Sequence, residues 1–115
     1  MATYVGAVDQ GTTSTRFMVF SHEGQIVAID QKEHEQIFPD RGWVEHDPAE
    51  VWTNTQEVIE GCLSKGGIDP ADIAAVGVTN QRETTVVWEK ATGRAILYAL
   101  VWQDSRSDKI CDLLS

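Results

Sequence analysis

Residues 9–16 read Asp9-Gln10-Gly11-Thr12-Thr13-Ser14-Thr15-Arg16 and follow directly on an apolar run at 4–8. The segment offers one carboxylate, one glycine, four hydroxyls and one guanidinium. A turn of that composition can hold a phosphate chain and its magnesium. Glycine lets the backbone approach an anion, and turn N–H groups with hydroxyls donate to phosphate oxygens. Asp9 can bind a hard cation directly or through water. Thr12, Thr13 and Ser14 would supply donors, Gly11 the backbone freedom, and Arg16 would offset phosphate charge. The chain has no Gly-x-x-x-x-Gly-Lys-Ser/Thr segment, so phosphate binding here would use a hairpin turn. The same residue types also make an ordinary polar hairpin.

Two other places could do chemistry. Arg82 and Glu83 are adjacent. Arginine carries only donors and a carboxylate chiefly accepts, so the pair could grip a polyol, whose hydroxyls need both. It could equally be a solvated charged pair in a loop. Trp102 precedes the polar Gln103 and Asp104. Its face could pack against the carbon chain of a sugar or polyol, or fill a partly buried core position.

The elements that must position these groups follow from pattern. The run at 4–8 is apolar on both faces, as in a buried strand. Residues 16–20 form a second strand, Ser21-His22-Glu23-Gly24 a tight reversal, and residues 25–31 a third strand. Asp30, Lys32, Glu33 and Glu35 at its far end suit an exposed sheet edge. An antiparallel meander of three strands is the expectation. Residues 34–46 read as a loop with Pro39, Gly42 and an exposed Trp43. A helix then starts with Asp47 as N-cap, Pro48 in the first position and Glu50 completing a capping box. Apolar or small residues at 51, 52, 55, 58, 59, 62 and 63 keep one face, and Lys65-Gly66-Gly67 ends the helix. Cys62 on that face reads as core.

Asp69-Pro70-Ala71-Asp72 gives one short helical turn. Residues 73–79 are almost free of polar side chains, the pattern of a buried parallel strand. A right-handed crossover sets that strand parallel to the first. Asp9 and Asn80-Gln81-Arg82-Glu83 should then lie near one crevice at the carboxyl ends of strands, where open α/β sheets bind ligands. Residues 84–88 and 96–101 read as a hairpin around Lys90-Ala91-Thr92-Gly93. Asp104 or Ser105 would cap a last helix whose apolar face begins with Ile110, Leu113 and Leu114. That stripe meets no later partner, so the chain is expected to be cut from a larger protein.

The 115 residues suit one modest domain, and 42% hydrophobic content is enough for a core. The formal charge of −9 disfavours nucleic acid and anionic membranes as partners. It does not disfavour a nucleotide, whose phosphates magnesium and a few local donors neutralise. Cys62 and Cys111 lack paired or metal-type spacing, and His22, His34 and His46 lack ligand spacing. A reducing, cytoplasmic setting fits. No signal peptide and no apolar run near the ~20 residues that span a bilayer is visible.

Taken in order, these pieces resemble the FGGY family of carbohydrate kinases, specifically its glycerol-phosphorylating branch. The resemblance rests on the 9–16 block, on Gly42-Trp43-Val44-Glu45-His46-Asp47-Pro48, on Thr79-Asn80-Gln81-Arg82-Glu83-Thr84-Thr85-Val86-Val87-Trp88-Glu89-Lys90, and on Val101-Trp102-Gln103. The Asn-Gln-Arg-Glu-Thr-Thr stretch is the specific one, because kinases for five-carbon sugars differ there. The resemblance implies an incomplete α/β domain of ribonuclease-H-like, actin-like ATPase type. Its mixed sheet would hold the meander plus a parallel strand after the crossover helix. The chain would be the N-terminal part of the first kinase domain, with the second domain absent.

The resemblance also implies ATP-dependent phosphorylation of glycerol to glycerol 3-phosphate with Mg2+, by a homo-oligomeric full-length protein. By position, Thr12, Thr13, Ser14 and Arg16 would contact the phosphates of ATP or ADP. Asp9 would organise the metal and is the candidate catalytic residue of this segment. Arg82 and Glu83 would hold glycerol hydroxyls, and Trp102 would pack on the carbon chain. The catalytic base, the adenine pocket and further glycerol contacts would lie beyond residue 115, so the isolated segment is expected to be inactive. Asp104-Ser105-Arg106-Ser107 carries no implied function. A kinase for another polyol or sugar, or a non-catalytic actin-like nucleotide-binding module, are the alternatives.

Overall fold

In chain order the elements are β1 (Tyr4–Gln10), β2 (Ser14–Phe20), β3 (Ile26–Glu33), β4 (Glu45–His46), helix α1 (Pro48–Gly66), a 3-10 turn (Pro70–Asp72), β5 (Ile73–Thr79), β6 (Ala99–Leu100) and helix α2 (Asp108–Leu114). They come from a computed structural model that describes residues 3–114. The chain divides into two units. One holds the chain up to His34 with Val51–Gln81; the other holds Glu35–Glu50 and everything from Arg82 on.

The first unit is built on a four-stranded sheet in the order β3-β2-β1-β5. The expected meander is present: β1 pairs antiparallel with β2, and β2 with β3. The crossover through α1 brings β5 back parallel to β1. Strands alternate their side chains between two faces, and one face packs on α1. Val8, Phe17 and Val19 from the sheet meet Val58 and Cys62 from the helix and Ile68 just beyond it. Cys62 is fully buried, and desolvation pushes its thiol above the ordinary range, so it serves as a small hydrophobe. At Gly6 the Phe17 ring lies so close that a Cβ would sit 2.6 Å from the ring's Cζ.

Helix α1 starts and stops as expected, with one change. Asp47 Oδ1 accepts the Ala49 N–H at 3.0 Å, and Pro48 opens the helix. Glu50, expected to close a capping box, instead gives Oε1 to the Glu35 N–H at 2.8 Å. At the far end Ile68 N–H bonds Leu63 O, Gly67 N–H bonds Ser64 O, and Gly67 has φ 60°. That is the paired closure of a Schellman motif. The inward face is more polar than its pattern suggested: Asn54 is buried beside the expected Thr55, while Trp52 is 63% exposed. The charges of β3 are spent on the helix flank, where Lys65 pairs with Asp30 at 2.8 Å and Lys32 with Glu57.

Strand β5 corrects the sequence reading. Its apolar run pointed to burial, yet it is the outer strand, with Val76 50% and Val78 70% exposed. Periodicity reports what a strand can bury; here α1 packs over β1, β2 and β3, and of β5 Ile73 at its start packs against that core while residues 74–79 stay exposed.

In the second unit β4 and β6 form a short antiparallel pair, extended by bridges Ile37–Glu45 and Thr85–Leu100. The segment 34–46, read as a loop, therefore contributes a strand. The hairpin expected at 84–101 keeps its turn, where Gly93 has φ 75° and Trp88 bridges Ala95. Its ladder is sparse and its side chains are largely exposed. The last helix begins at Asp108, not after a cap at Asp104 or Ser105. Asp104 is committed elsewhere. Its carboxylate accepts from the Val44 N–H at 2.7 Å, the Arg106 N–H at 2.9 Å and the Arg106 guanidinium. Arg106 also reaches Glu45 at 2.8 Å and stacks 3.9 Å over the Trp43 ring.

The Arg106 hydrogen bonds hold the Asp104 carboxyl down to about 2. Its stabilising effect is complete above the ordinary carboxylate value of about 3.9 and disappears as pH falls towards the folded value. Asp104→Asn is expected to destabilise by about 1.5–3 kcal/mol at neutral pH and to flatten the loss of stability between roughly pH 4 and 2. Denaturant melts across that range check both. Gly6→Ala is expected to cost about 1–3 kcal/mol through overpacking on Phe17; an unshifted unfolding midpoint would mean that the ring yields.

Candidate functional site

The turn singled out in the sequence is shorter than expected, because β1 runs on to Gln10 and β2 begins at Ser14. Only Gly11, Thr12 and Thr13 lie outside the ladder, and Gly11 N–H bonds Ser14 O at 2.9 Å. Gly11 is not among the positive-φ glycines. Its value is room: a Cβ there would meet Ser14 O at 3.1 Å. Register then builds a row across the sheet. Thr79 pairs with Asp9, Asp9 with Arg16, and Arg16 with Gln31. Alternation puts this row on the face opposite Val8 and Phe17, hence away from α1. Arg16 Nη2 donates to Gln31 Oε1 at 3.3 Å, and Gln31 Nε2 donates to Ser14 Oγ at 2.8 Å.

The α1 side of the same turn is held by polar side chains that the sequence reading missed. Asn54 Nδ2 lies 3.2 Å from His34 Nδ1, and His34 Nε2 lies 3.1 Å from Thr15 Oγ1. Thr15 Oγ1 donates to Gln10 Oε1 at 2.9 Å, and Gln10 Nε2 donates to Thr55 Oγ1 at 2.5 Å. Thr55 Oγ1 in turn donates to Val51 O at 2.7 Å. An amide NH2 can only donate, which makes His34 Nδ1 the acceptor and Nε2 the protonated nitrogen. Every member of the chain then has a partner of the right sense. Thr15, His34, Asn54 and Thr55 are all buried, and the His34 N–H also bonds Thr13 O at 2.9 Å. A signal existed: Thr15 shares strand parity with Phe17 and Val19, so it had to face the helix.

In the second unit Arg82 and Glu83 occupy an exposed turn. Glu83 has φ 58°, the only positive φ at a non-glycine residue among those described. Such backbone costs about 1 kcal/mol or more and concentrates at functional sites. The antiparallel bridge Thr85–Leu100 has Glu83 two residues before it and Trp102 two residues after it. Both therefore leave the bridge at the same end. Trp102 is 53% exposed and sits in a turn. Thr84 Oγ1 beside Glu83 is buried with no hydrogen-bond partner among the described residues.

The described residues contain no cluster of three or more His, Cys, Asp or Glu side chains able to cage a metal. No described helix is long and apolar enough to cross a membrane.

The chain is similar to known carbohydrate kinases over its whole length. It is 68% identical over 115 residues to a glycerol kinase of Roseiflexus sp., covering all of this chain and 23% of that protein. The chain thus spans about a quarter of the length of the curated relatives it matches. The structure of Plasmodium falciparum glycerol kinase with ADP superposes with a TM-score of 0.85 at 32% identity, over 97% of this chain and 22% of that one. A xylulose kinase from Rhodospirillum rubrum gives the same TM-score at 24% identity, over 96% of this chain and 23% of that one. The expected mixed α/β architecture of actin-like ATPase type is therefore present, and the fold alone does not choose the substrate. Residues 4–115 match the N-terminal domain of the FGGY carbohydrate kinases, and the chain belongs to that family.

Proposed function

We propose that these residues are the N-terminal part of the first domain of a full-length kinase that transfers the γ-phosphoryl group of ATP to glycerol, giving glycerol 3-phosphate. The observation that carries this reading is the register row that faces Asp9 with Arg16 beside a three-residue hydroxyl-bearing turn. The similarity to proteins named glycerol kinase selects glycerol among the polyols.

Phosphoryl transfer leaves the protein mostly positioning and charge neutralisation. Thr12, Thr13 and Ser14 present N–H and hydroxyl donors to the phosphates, and Arg16 adds a fixed positive charge on the same face. When bound with the nucleotide, Mg2+ neutralises charge on the phosphates. The described residues hold no cluster of three or more His, Cys, Asp or Glu side chains, and a single carboxylate such as Asp9 suits that ion, which keeps several waters and takes oxygens from the phosphates. Arg82 donates to glycerol hydroxyls and Glu83 accepts from them, its left-handed backbone holding the carboxylate in place. Trp102 covers the carbon chain. The group that takes the hydroxyl proton lies outside these residues. The free Cys62 and Cys111 fit a reducing cytoplasm.

Glycerol-dependent turnover of ATP by the full-length protein, with glycerol 3-phosphate identified as product, is the direct test. Faster turnover of a pentose would move the assignment to another branch of the family. Arg82→Ala is expected to raise the glycerol KM about 10- to 150-fold, the loss of a charge-assisted hydrogen bond worth about 1.5–3 kcal/mol. An unchanged glycerol KM would remove Arg82 from the site. Asp9→Ala is expected to cut kcat about 10- to 100-fold and shift the Mg2+ requirement upward; wild-type metal titration curves would count against its role.

A further inference from the structure

Gln31 was not singled out by its type or by any motif. It stands on β3, one strand removed from the turn, and its register partner is Arg16. Its side-chain amide makes two bonds of opposite sense. The oxygen accepts from Arg16 Nη2 at 3.3 Å, and the nitrogen donates to Ser14 Oγ at 2.8 Å. Its own N–H is fixed by Asp30 Oδ1 at 2.9 Å, and Asp30 is tied to Lys65 of α1 at 2.8 Å. One side-chain amide thus links two side chains of β2 that point to the open face of the sheet, and the backbone of its residue is tied through Asp30 to Lys65 of α1.

We infer that Gln31 is a positioning residue for the phosphate subsite, aiming Arg16 and Ser14 together at the nucleotide. This rests on the proposed phosphate role of those two residues. Arginine is a long side chain with many rotamers, and fixing it before the ligand arrives removes ordering entropy from the binding step. A neutral amide suits the task better than a carboxylate. Glutamate at this place would hold Arg16 in a salt bridge and neutralise the charge that the phosphates need. The amide nitrogen also donates to Ser14 Oγ, which leaves the serine hydroxyl proton for an incoming oxygen.

The test uses the full-length kinase with Gln31→Ala, Gln31→Met and Arg16→Ala. Met keeps the length of Gln and makes neither bond. Both Gln31 variants are expected to raise the KM for ATP about fivefold, as for the loss of one or two exposed hydrogen bonds. The glycerol KM and the thermal midpoint should stay at wild-type values. In an Arg16→Ala background, Gln31→Met should add less than it does alone. A Met variant with wild-type nucleotide KM would reduce Gln31 to packing and overturn the inference, as would strict additivity with Arg16→Ala. If Arg16→Ala weakens ATP binding while neither Gln31 variant does, Gln31 has no positioning role and the phosphate reading stands. If Arg16→Ala also leaves the nucleotide KM unchanged, the phosphate reading itself fails.

Discussion

Strand β1 is paired on both sides, antiparallel to β2 and parallel to β5, and its register carries everything proposed for the first unit. Because side chains alternate, a slip of one residue would send Asp9 to the helix side and Val8 to the open face. Three things prevent that slip. Val8 and its partner Phe17 are buried against Val58 and Cys62. Gly6 leaves room for the Phe17 ring and for no larger side chain. The polar chain from Gln10 to Asn54 fixes the strand end to α1 by a continuous run of side-chain hydrogen bonds. Hydrophobic packing sets the face, and the buried polar chain sets the position along it.

The turn's two sides divide the labour. On the inner side Gln10, Thr15 and His34 are saturated with partners and closed to ligand. On the outer side Arg16 and Ser14 are tied by the exposed bonds through Gln31. Burial makes the inner bonds costly to break, and exposure leaves Arg16 and Ser14 within reach of a substrate's oxygens. The second unit shows the same economy at Arg106. Its guanidinium serves Asp104, Glu45 and the face of Trp43, so this cation is structural although it lies only a few residues from Trp102.

Much of this was legible in the residues. The helix start at Asp47-Pro48, its stop at Gly66-Gly67, the meander and the parallel return strand follow from capping chemistry, period and crossover handedness. The polar turn was visible by composition, and the order of blocks named the family. Four features were hidden for physical reasons. The apolar run of β5 states what it can bury, but in its unit Ile73 alone of that strand packs on the core. Asp104 looked like a helix cap because a carboxylate before a helix usually is one; Arg106 and the Val44 N–H compete for it. Asn54 and His34 are polar residues in the core, and period alone treats such positions as surface. Gln31 matters through register, which no local window reads.

The outer ladder of β5 offers a row of backbone donors and acceptors flanked by Val76 and Val78, with no strand hydrogen-bonded to it among the described residues. It carries no lysine or proline of the kind that natural edges use to repel company, and its one register irregularity lies at its start, where Tyr4 and Val5 pair with Ile73 and Ala75. Left bare in solution, such a border is a template for strand addition. Two copies meeting there would join their sheets through main-chain hydrogen bonds, with no specificity beyond valine against valine. A polypeptide of this length made by itself would therefore tend to clump through β5, and its solubility would report how well that border is covered.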